Sequence, residues 1–437
     1  MNSMKKLLYT LFAAILIVNI AAAQTPVPAK PQAKPIALTG GIAHLGNGQV
    51  IQNSLIAFDK GKLTIVADAT TAKADLTGFE VINITGKHVY PGFILPNSQV
   101  GLQEVSSIRA MNDNAERGEM NPNVRSQISY NTDTEYTPTF RFNGVLLAES
   151  TPTGGTISGT SSVMEMDGWN WEDATLVADI AVHMNWPSIM SRQFDFNTFS
   201  FNESANANYE KQVTEITRFF SESLSYGALA SKETNLKFEA MQGLFDGKKT
   251  LMIHANNPKE IVESVRFAQR SGVKRITVVG GSGALWVADF LKESKIPVIL
   301  PSTHNLPNRS DDDVDMPYKL PHLLTQAGVM VSLMDDGALH GARNLGFYAG
   351  TAAAYGMSKE DALKTITSNT AKALGIDTRV GTLEVGKDAT LFVSNGDALD
   401  YRGNVLTHAF ISGKLMTLPG NQQELYERYS RKYGQMK

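Results

Sequence analysis

The segment ALKTITSNTAKALGIDTRVGTLEVGKDATLFV, residues 362–393, decides the fold, because a helical run passes into strand-like sequence within it. Its second half, TLEVGKDATLFV, has the composition of short β-strands. A similar pattern lies near the other end of the chain at residues 54–68, where Gly61 separates two strand-like runs. We therefore expect residues 36–90 and 380–418 to pair into a small composite β-sandwich domain, with the remaining chain inserted between them.

The composition is that of an ordinary globular protein. The chain has 437 residues, of which 42% are hydrophobic and 19% charged, enough for one large domain and a smaller one. A formal net charge of -3 gives no sign of a surface for nucleic acid. The chain has no cysteine, which excludes disulfides, thiolate metal sites and cysteine nucleophiles.

The first residues have the order of a secretory signal peptide. Lys5 and Lys6 precede an apolar run at residues 7–20, and small residues follow. The apolar run is too short to span a bilayer, so we expect cleavage after residues 1–23. Residues 24–35 are expected to be a proline-rich linker with nothing to bury. The mature protein is therefore expected in the periplasm or outside the cell, without stable membrane insertion.

The middle of the chain alternates between strands and helices. The apolar runs TLMIHANN, RITVVGG, IPVILPS and VMVSLMDD are separated by segments with helical spacing. Repeats of about 25 residues indicate parallel βαβ units, and residues 91–379 have the length of one closed barrel. We expect an α/β protein with a TIM-like (β/α)8 barrel, followed by a C-terminal helix in residues 419–437.

Four motifs make the chain resemble the amidohydrolase superfamily, and its imidazolonepropionase-like members in particular. VYPGFI resembles the start of the first barrel strand of that family, and AGVMVSLMDDG resembles its last. The glycine-rich run GVLLAESTPTGGTISGTSSVMEMDGWNWED, residues 144–173, is similar to a segment of the same relatives. Residues 362–393 are close to the exit of the family from its barrel. The resemblance covers nearly all of the mature chain and implies a metal-dependent hydrolase.

The resemblance also implies a metal at the carboxyl end of the barrel. In the family, two histidines of strand one, a strand-four lysine or glutamate, histidines of strands five and six and a strand-eight aspartate hold it. Here Asn97 and Gln99 stand where the strand-one imidazoles belong, and they are much weaker ligands for a zinc-like ion. Strand six offers only GGS, and the strand-four candidates between Lys211 and Lys237 cannot be ranked. We therefore expect a degenerate metal site.

Two groups remain at the carboxyl ends of predicted barrel strands. His254 is a candidate metal ligand, and Asp336, or its neighbour Asp335, is a candidate ligand and proton acceptor. His304 and His340 are candidates for the pocket or for contact with substrate, as are Asn97 and Gln99. At most one divalent, zinc-like metal is expected, bound weakly or absent, contacting His254 and Asp336.

Two functions remain open at this point. The first is a hydrolase that acts on carbon–nitrogen bonds other than peptide bonds in a small molecule. The alternative is a catalytically inactive relative that binds a small ligand or serves as a partner subunit of an active paralogue. Its partners are thus a small molecule and, in either case, another copy of the chain or a paralogue in a homo- or hetero-oligomer, but no nucleic acid.

Overall fold

A computed structural model describes residues 27–196, 199–307 and 312–435. The predicted signal peptide lies outside these residues. The strands are β1 (Ile36–His44), β2 (Val50–Asp59), β3 (Lys62–Asp68), β4 (Glu80–Asn83), β5 (His88–Pro91), β6 (Phe93–Ser98), β7 (Val145–Ser150), β8 (Ile157–Glu165), β9 (Thr175–Asn185), β10 (Met190–Asp195), β11 (Ser200–Ala205), β12 (Thr250–Ala255), β13 (Ile276–Gly280), β14 (Val298–Leu300), β15 (Val331–Leu333), β16 (Leu391–Ser394), β17 (Leu406–Ile411) and β18 (Lys414–Leu415).

The α-helices are mostly short and connect the strands of the middle region. They are α1 (Tyr136–Phe142), α2 (Trp171–Ala174), α3 (Tyr209–Gly227), α4 (Leu236–Asp246), α5 (Pro258–Arg270), α6 (Ala288–Glu293), α7 (Met316–Gln326), α8 (Leu345–Ala354), α9 (Lys359–Lys364), α10 (Ser368–Leu374) and α11 (Asn421–Lys432). Within the described ranges, none of the helices is long and apolar enough to cross a membrane.

Strands from both ends of the chain form one composite sheet. Its order is β18-β17-β16-β5-β1-β2-β3, and β4 pairs with β1 beside β5. The β2–β3 hairpin turns at Lys60 and Gly61, which both have positive φ, as a tight hairpin turn requires. One apolar cluster of this sheet joins Leu38, Phe58 and Phe410, so the two chain ends share a core.

The segment before β1 is anchored to the folded body, which differs from the linker expected from its prolines. The side chain of Gln32 accepts a hydrogen bond from the Gly61 backbone and donates one to the Phe58 carbonyl. Further upstream, the backbone N–H of Ala29 donates to Asp167 at 3.2 Å. Prolines leave a segment unable to form a helix, but its polar groups can still bind neighbouring elements.

The second large sheet is a nearly closed barrel in the order β15-β14-β13-β12-β9-β8-β7-β6. The fold is therefore α/β with a TIM-like barrel, as predicted. One strand differs from the expected parallel pattern, because β8 is antiparallel to both β7 and β9. The β7–β8 connection is a short loop with Gly154 and Gly155 at positive φ, and a loop of this kind joins antiparallel strands only.

The chain that follows strand β15 closes the barrel. Between β6 and β15, the carbonyl of Ile366 accepts from Ile94 N at 2.9 Å, and that of Thr365 accepts from Leu333 N at 3.1 Å. Helix α10 then covers the amino end of the barrel, and its Leu374 joins the apolar cluster of the interior. The first part of residues 362–393 thus completes the barrel wall and caps its amino end. The carboxyl end of the barrel is left open.

Candidate active site

Three strands of the barrel bring a carboxylate and two imidazoles together at their carboxyl ends. Glu149 lies on β7, His183 on β9 and His254 on β12. Each side chain follows an apolar residue of the barrel interior by two positions, and residues two apart share a face of a strand. Those interior residues are Leu147, Ala181 and Met252. The sequence periodicity of each strand therefore aims all three groups inward.

The three groups form one hydrogen-bonded chain, which we call the barrel triad. Glu149 Oε1 lies 3.0 Å from His183 Nε2, and His183 Nδ1 lies 3.0 Å from His254 Nε2. Glu149 and His183 are 0% exposed. Ser161 Oγ donates to Glu149 Oε1 at 2.7 Å, and the Asn97 N–H donates to Oε2 at 2.8 Å. Both oxygens of the buried carboxylate are therefore satisfied, as a buried charge requires.

For neutral His183 and His254 imidazoles, this geometry assigns the tautomers of both histidines. Ionised Glu149 only accepts hydrogen bonds, so His183 must carry its proton on Nε2. The unprotonated Nδ1 of His183 then accepts from His254 Nε2–H. This leaves Nδ1 as the unprotonated nitrogen of His254, and within the described part of the chain it has no hydrogen-bond partner. The barrel triad thus ends in one available lone pair.

The protonation states follow from burial and from these contacts. Burial lowers the pKa of the His254 imidazole to about 3, while the negative charge of Glu149 opposes this. Burial disfavours ionisation of Glu149, but its contacts with His183, the Asn97 backbone and Ser161 together lower its pKa. At neutral pH His254 is therefore a neutral imidazole, and Glu149 is an anion.

The two carboxamides lie near the end of the first barrel strand, with Asn97 just before its last residue and Gln99 just after it. Asn97 has a φ of 51° next to a register irregularity in β6, and its Nδ2 lies 3.2 Å from Met334 Sδ inside the barrel. Gln99 follows β6 and is half-buried, and its side chain makes no hydrogen bond among the described residues. The left-handed residue interrupts the simple alternation that would have placed both side chains on one face.

The two aspartates after β15 have separate environments. Asp336 accepts hydrogen bonds from Ser302 N at 3.0 Å and from Asn305 Nδ2 at 2.9 Å, so the β14 loop holds its carboxylate. Asp335 Oδ1 lies 2.8 Å from the Tyr348 hydroxyl. Burial raises the pKa of Asp335 to about 6, against the effect of Tyr348. In the described ranges, no hydrogen bond joins either aspartate to the barrel triad.

The remaining histidine candidates lie away from the barrel interior. His304 is exposed, and its Nε2 lies 2.9 Å from Thr351 Oγ1 on α8. It lines a surface groove with Tyr318 and Tyr355, on helices outside the barrel. His340 is exposed in a short 3-10 helix, Leu339–Asn344. In the structure His304 therefore lines this outer groove rather than the barrel interior, and its contact with substrate stays a prediction.

The donor set does not fit the metal centre that the family resemblance implies. Within the described ranges, no three or more histidine, aspartate or glutamate side chains are arranged to hold a metal ion. The polar side-chain atoms of Glu149 and His183 are already hydrogen-bonded to each other and to Ser161, Asn97 and His254. The loop backbone and Asn305 hold Asp336, so His254 Nδ1 remains as one strong donor.

Sequence reasoning missed Glu149, His183 and Ser161. Strand four was sought between Lys211 and Lys237, but that region forms helices α3 and α4 and the loop between them. In the structure the fourth strand of the barrel order is β9, which ends near His183. The available signals were a lone carboxylate after VLLA and a lone histidine within IAVHM. A polar group at the end of an apolar strand run is where a barrel carries its chemistry.

Comparisons with known proteins agree with this architecture. The chain is similar to the imidazolonepropionase of Shewanella frigidimarina (strain NCIMB 400), with 24% identity over 220 residues, which is 50% of this chain and 46% of that protein. It thus spans about half the length of that relative. A solved amidohydrolase from Thermotoga maritima MSB8 superposes with a TM-score of 0.73 at 22% identity, covering 87% of this chain and 99% of that one. A. niger ochratoxinase has a TM-score of 0.54 at 13% identity, covering 88% and 96%.

The family comparison covers the part of the chain that carries the barrel triad. Residues 148–416 match the model of the amidohydrolase family. The match includes Glu149, His183 and His254, and it begins after the strand with Asn97 and Gln99. The predicted superfamily is confirmed. Since the match spans more than half of the sequence, the chain belongs to the amidohydrolase family.

Proposed function

We propose that this protein hydrolyses a carbon–nitrogen bond, other than a peptide bond, in a small molecule, with His254 as the proton acceptor. One observation carries the proposal. The barrel triad presents the lone pair of His254 at the carboxyl ends of the strands, where barrel enzymes carry out their chemistry. Family membership supports the reaction class.

In the proposed reaction, His254 Nδ1 removes a proton from a water molecule. The water oxygen bonds to the carbonyl carbon, and the carbon–nitrogen bond breaks. The same proton then passes from His254 to the leaving nitrogen, so that an acid and an amine are formed. Because His254 is only partly exposed, the positive charge that it acquires needs stabilisation. Glu149 supplies it through His183, since a nearby negative charge favours the imidazolium.

The carboxamides contribute a different chemistry from the imidazoles they replace. Asn97 and Gln99 carry N–H donors, which can bind the carbonyl oxygen of a substrate as negative charge develops on it. The present acceptor of Asn97 Nδ2 is the thioether of Met334, a weak acceptor that a carbonyl oxygen readily replaces. This supports a role for the first strand in binding substrate rather than a metal ion.

Metal content remains part of the proposal. With His254 as one available imidazole donor, we expect no more than one zinc-like ion per chain, held weakly or absent. Elemental analysis of protein purified without chelator measures this directly. Two tightly held ions per chain would contradict it and would mean that side chains reorganise around the metal.

The decisive experiment is a turnover assay on cyclic amides and N-acyl amino acids. We expect slow hydrolysis by the wild type and none by His254→Ala. His304→Ala is the matched control, because this exposed histidine binds Thr351 outside the barrel, and its variant should retain activity. Equal turnover by the wild type and His254→Ala would reject the assigned site.

The hydrogen bonds that already occupy the carboxylate of Asp336 favour a second function. The strand-eight carboxylate, a catalytic group in the resembled family, accepts hydrogen bonds from Ser302 and Asn305 here. An inactive relative would bind the same amides as a ligand-binding protein or as a partner subunit of a paralogue. Calorimetric binding without turnover across the panel would favour this alternative. Loss of turnover in Asp336→Asn, with binding retained, would instead give Asp336 a catalytic role.

A further inference from the structure

The amino end of the barrel contains a cavity of about 320 Å³. It opens beside helix α10, at the opposite end of the strands from the barrel triad. Its walls come from the starts of β12 and β13, from the segment before β14 and from α10. A cavity of this volume is at the lower end of the range of small-molecule sites.

Four basic side chains line this cavity, namely Lys274, Arg275, Lys295 and Lys372. None of them forms a salt bridge or a side-chain hydrogen bond with a described residue. The negative charge of Asp377 acts on Arg275 from beyond ion-pair distance. The cavity therefore gathers four basic side chains, three of them exposed lysines, without an ion-pair partner among the described residues.

The glycine at the end of α10 makes room for the guanidinium of Arg275. Gly375 ends α10 with a φ of 73°, and a Cβ at this position would lie 1.7 Å from Arg275 Nη2. Only glycine allows the guanidinium to pack so closely against the end of the helix. Arg275 is half-buried, and burial lowers its pKa. A planar donor group thus lies beside the cavity without an acceptor among the described residues.

A buried hydroxyl group lines the same cavity. Thr250 is 1% exposed, and its Oγ1 has no hydrogen-bond partner among the described residues. It lies on the inward face of β12, two residues before Met252 of the barrel interior. A buried hydroxyl without a partner is costly, and a ligand oxygen that reached it would remove that cost.

We propose that this cavity binds a small molecule that carries a phosphoryl group. Tetrahedral oxyanions match an arginine fork with surrounding lysines, and their oxygens accept from a hydroxyl group. The space exceeds that of one phosphate, so a phosphate ester fits better than the free ion. This site is separate from the proposed hydrolysis, because Thr250 and His254 are four residues apart on β12, about 13 Å along the strand.

The test is calorimetric titration of the full chain at low ionic strength with inorganic phosphate and with glycerol 3-phosphate, using glycerol as the uncharged control. We expect both anions to bind and glycerol not to bind. Tighter binding of the ester identifies the esterified group as the ligand, and equal binding identifies free phosphate. Failure of both anions to bind would overturn the proposal.

Variants locate the binding. Arg275→Gln and Lys372→Gln should each weaken binding about tenfold or more, because each removes a charge-assisted hydrogen bond. Lys292→Gln is the matched control, since Lys292 is an exposed lysine of the neighbouring helix α6 outside the cavity lining. Equal affinity in Arg275→Gln and Lys292→Gln would overturn the site. Amide hydrolysis should be unaffected in all three variants.

Thr250→Val separates a ligand-binding role from a structural one. Removing an unpartnered buried hydroxyl should raise the Tm of the ligand-free protein while weakening phosphate binding. A purely structural threonine would change Tm alone. An unchanged Kd in this variant would overturn the claim that the hydroxyl faces the ligand.

Discussion

Two carboxylate–histidine–histidine chains occur in the described part of this molecule, and their surroundings differ. Besides the barrel triad, Glu360, His44 and His88 form a second chain, which we call the junction triad. His44 Nδ1 lies 2.6 Å from Glu360 Oε1, and His44 Nε2 lies 3.0 Å from His88 Nδ1. The junction triad links the composite sheet to helix α9. One glutamate and two histidines therefore form the same connectivity at two places.

The two triads differ in their burial and in whether both carboxylate oxygens have hydrogen-bond partners. The side chains of Glu149 and His183 are 0% exposed, whereas those of His44 and Glu360 are 15% and 21% exposed. Both oxygens of Glu149 accept hydrogen bonds, but Glu360 Oε2 is buried without a partner among the described residues. In the junction triad, the His44 ring also stacks on the ring of Tyr90, with 4.4 Å between the two ring centroids.

The comparison shows that residue types and connectivity do not make an active site by themselves. The barrel triad ends at the carboxyl ends of three strands in a low-dielectric interior, where a fixed charge acts strongly. The junction triad fastens a sheet to a helix and is partly screened by solvent. Parallel substitutions in the two triads therefore separate catalytic from structural effects.

The largest expected difference is in activity. Glu149→Gln keeps the shape of the side chain but removes the negative charge that orients His183 and stabilises protonated His254. By analogy with loss of the triad carboxylate in serine proteases, kcat should fall about 10³- to 10⁴-fold. Glu360→Gln should stay within about twofold, since it is remote from the proposed chemistry. Steady-state kinetics on the best amide of the panel measures both, and equal losses would make the barrel triad structural.

Stability should separate the triads next. Glu149→Ala leaves His183 Nε2–H, the Ser161 hydroxyl and the Asn97 N–H without their acceptor. Breaking a buried charged network of this kind costs about 3–5 kcal/mol. Glu360→Ala should cost about 1 kcal/mol or less, because its pair is partly exposed. Urea denaturation measures the loss of stability in both variants. A larger loss in Glu360→Ala would mean that the junction triad, and not the barrel triad, is the more deeply buried network.

The pH dependence of stability gives a smaller effect of known sign. The pKa of His254 is about 3 in the folded state, and that of an unfolded histidine is about 6.5. Between these values the unfolded chain binds a proton that the native protein does not, so stability falls as pH decreases through this window. From pH 7 to pH 5 this group should contribute a loss of about 2 kcal/mol.

His254→Asn should remove this part of the acid destabilisation. Urea midpoints at both pH values, for wild type and variant, measure the difference. His88→Asn is the counterpart in the junction triad. Burial also lowers the pKa of His88, so its contribution has the same sign. An unchanged pH slope in His254→Asn would mean that the pKa of His254 is about the same in the native and the unfolded chain.

The smallest effect concerns a neighbour of Glu149. Ser161→Ala removes one of the donors to Oε1 and should cost about 1–2 kcal/mol, with a loss of kcat below about tenfold. The adjacent Ser162 provides the control, because its hydroxyl binds Gln127 at 2.7 Å on the other face of β8. Ser162→Ala should lower stability to a similar extent without a change in kcat. Equal kcat in both variants would show that Ser161 does not position the triad carboxylate.

The candidate site was only partly predictable. His254 was found because LMIHANN is a short apolar strand with a polar group at its end. Glu149 and His183 have the same signature, but the run around Glu149 was interpreted as a glycine-rich segment and strand four was sought among helical residues. Asp336 was assigned from its motif, whereas the structure engages it with Ser302 and Asn305. Local patterns predicted strands better than they predicted which side chains meet.

The sequence by itself determined the family and the barrel, because these follow from motifs and from periodicities of neighbouring residues. Only the tertiary structure decided that Glu149, His183 and His254 share one hydrogen-bonded chain across sequence separations of 34 and 71 residues. It also decided that β8 runs against its neighbours and brings Ser161 to Glu149. The physical reason is that inward alternation is a local property of each strand, whereas the order and direction of strands depend on nonlocal pairing.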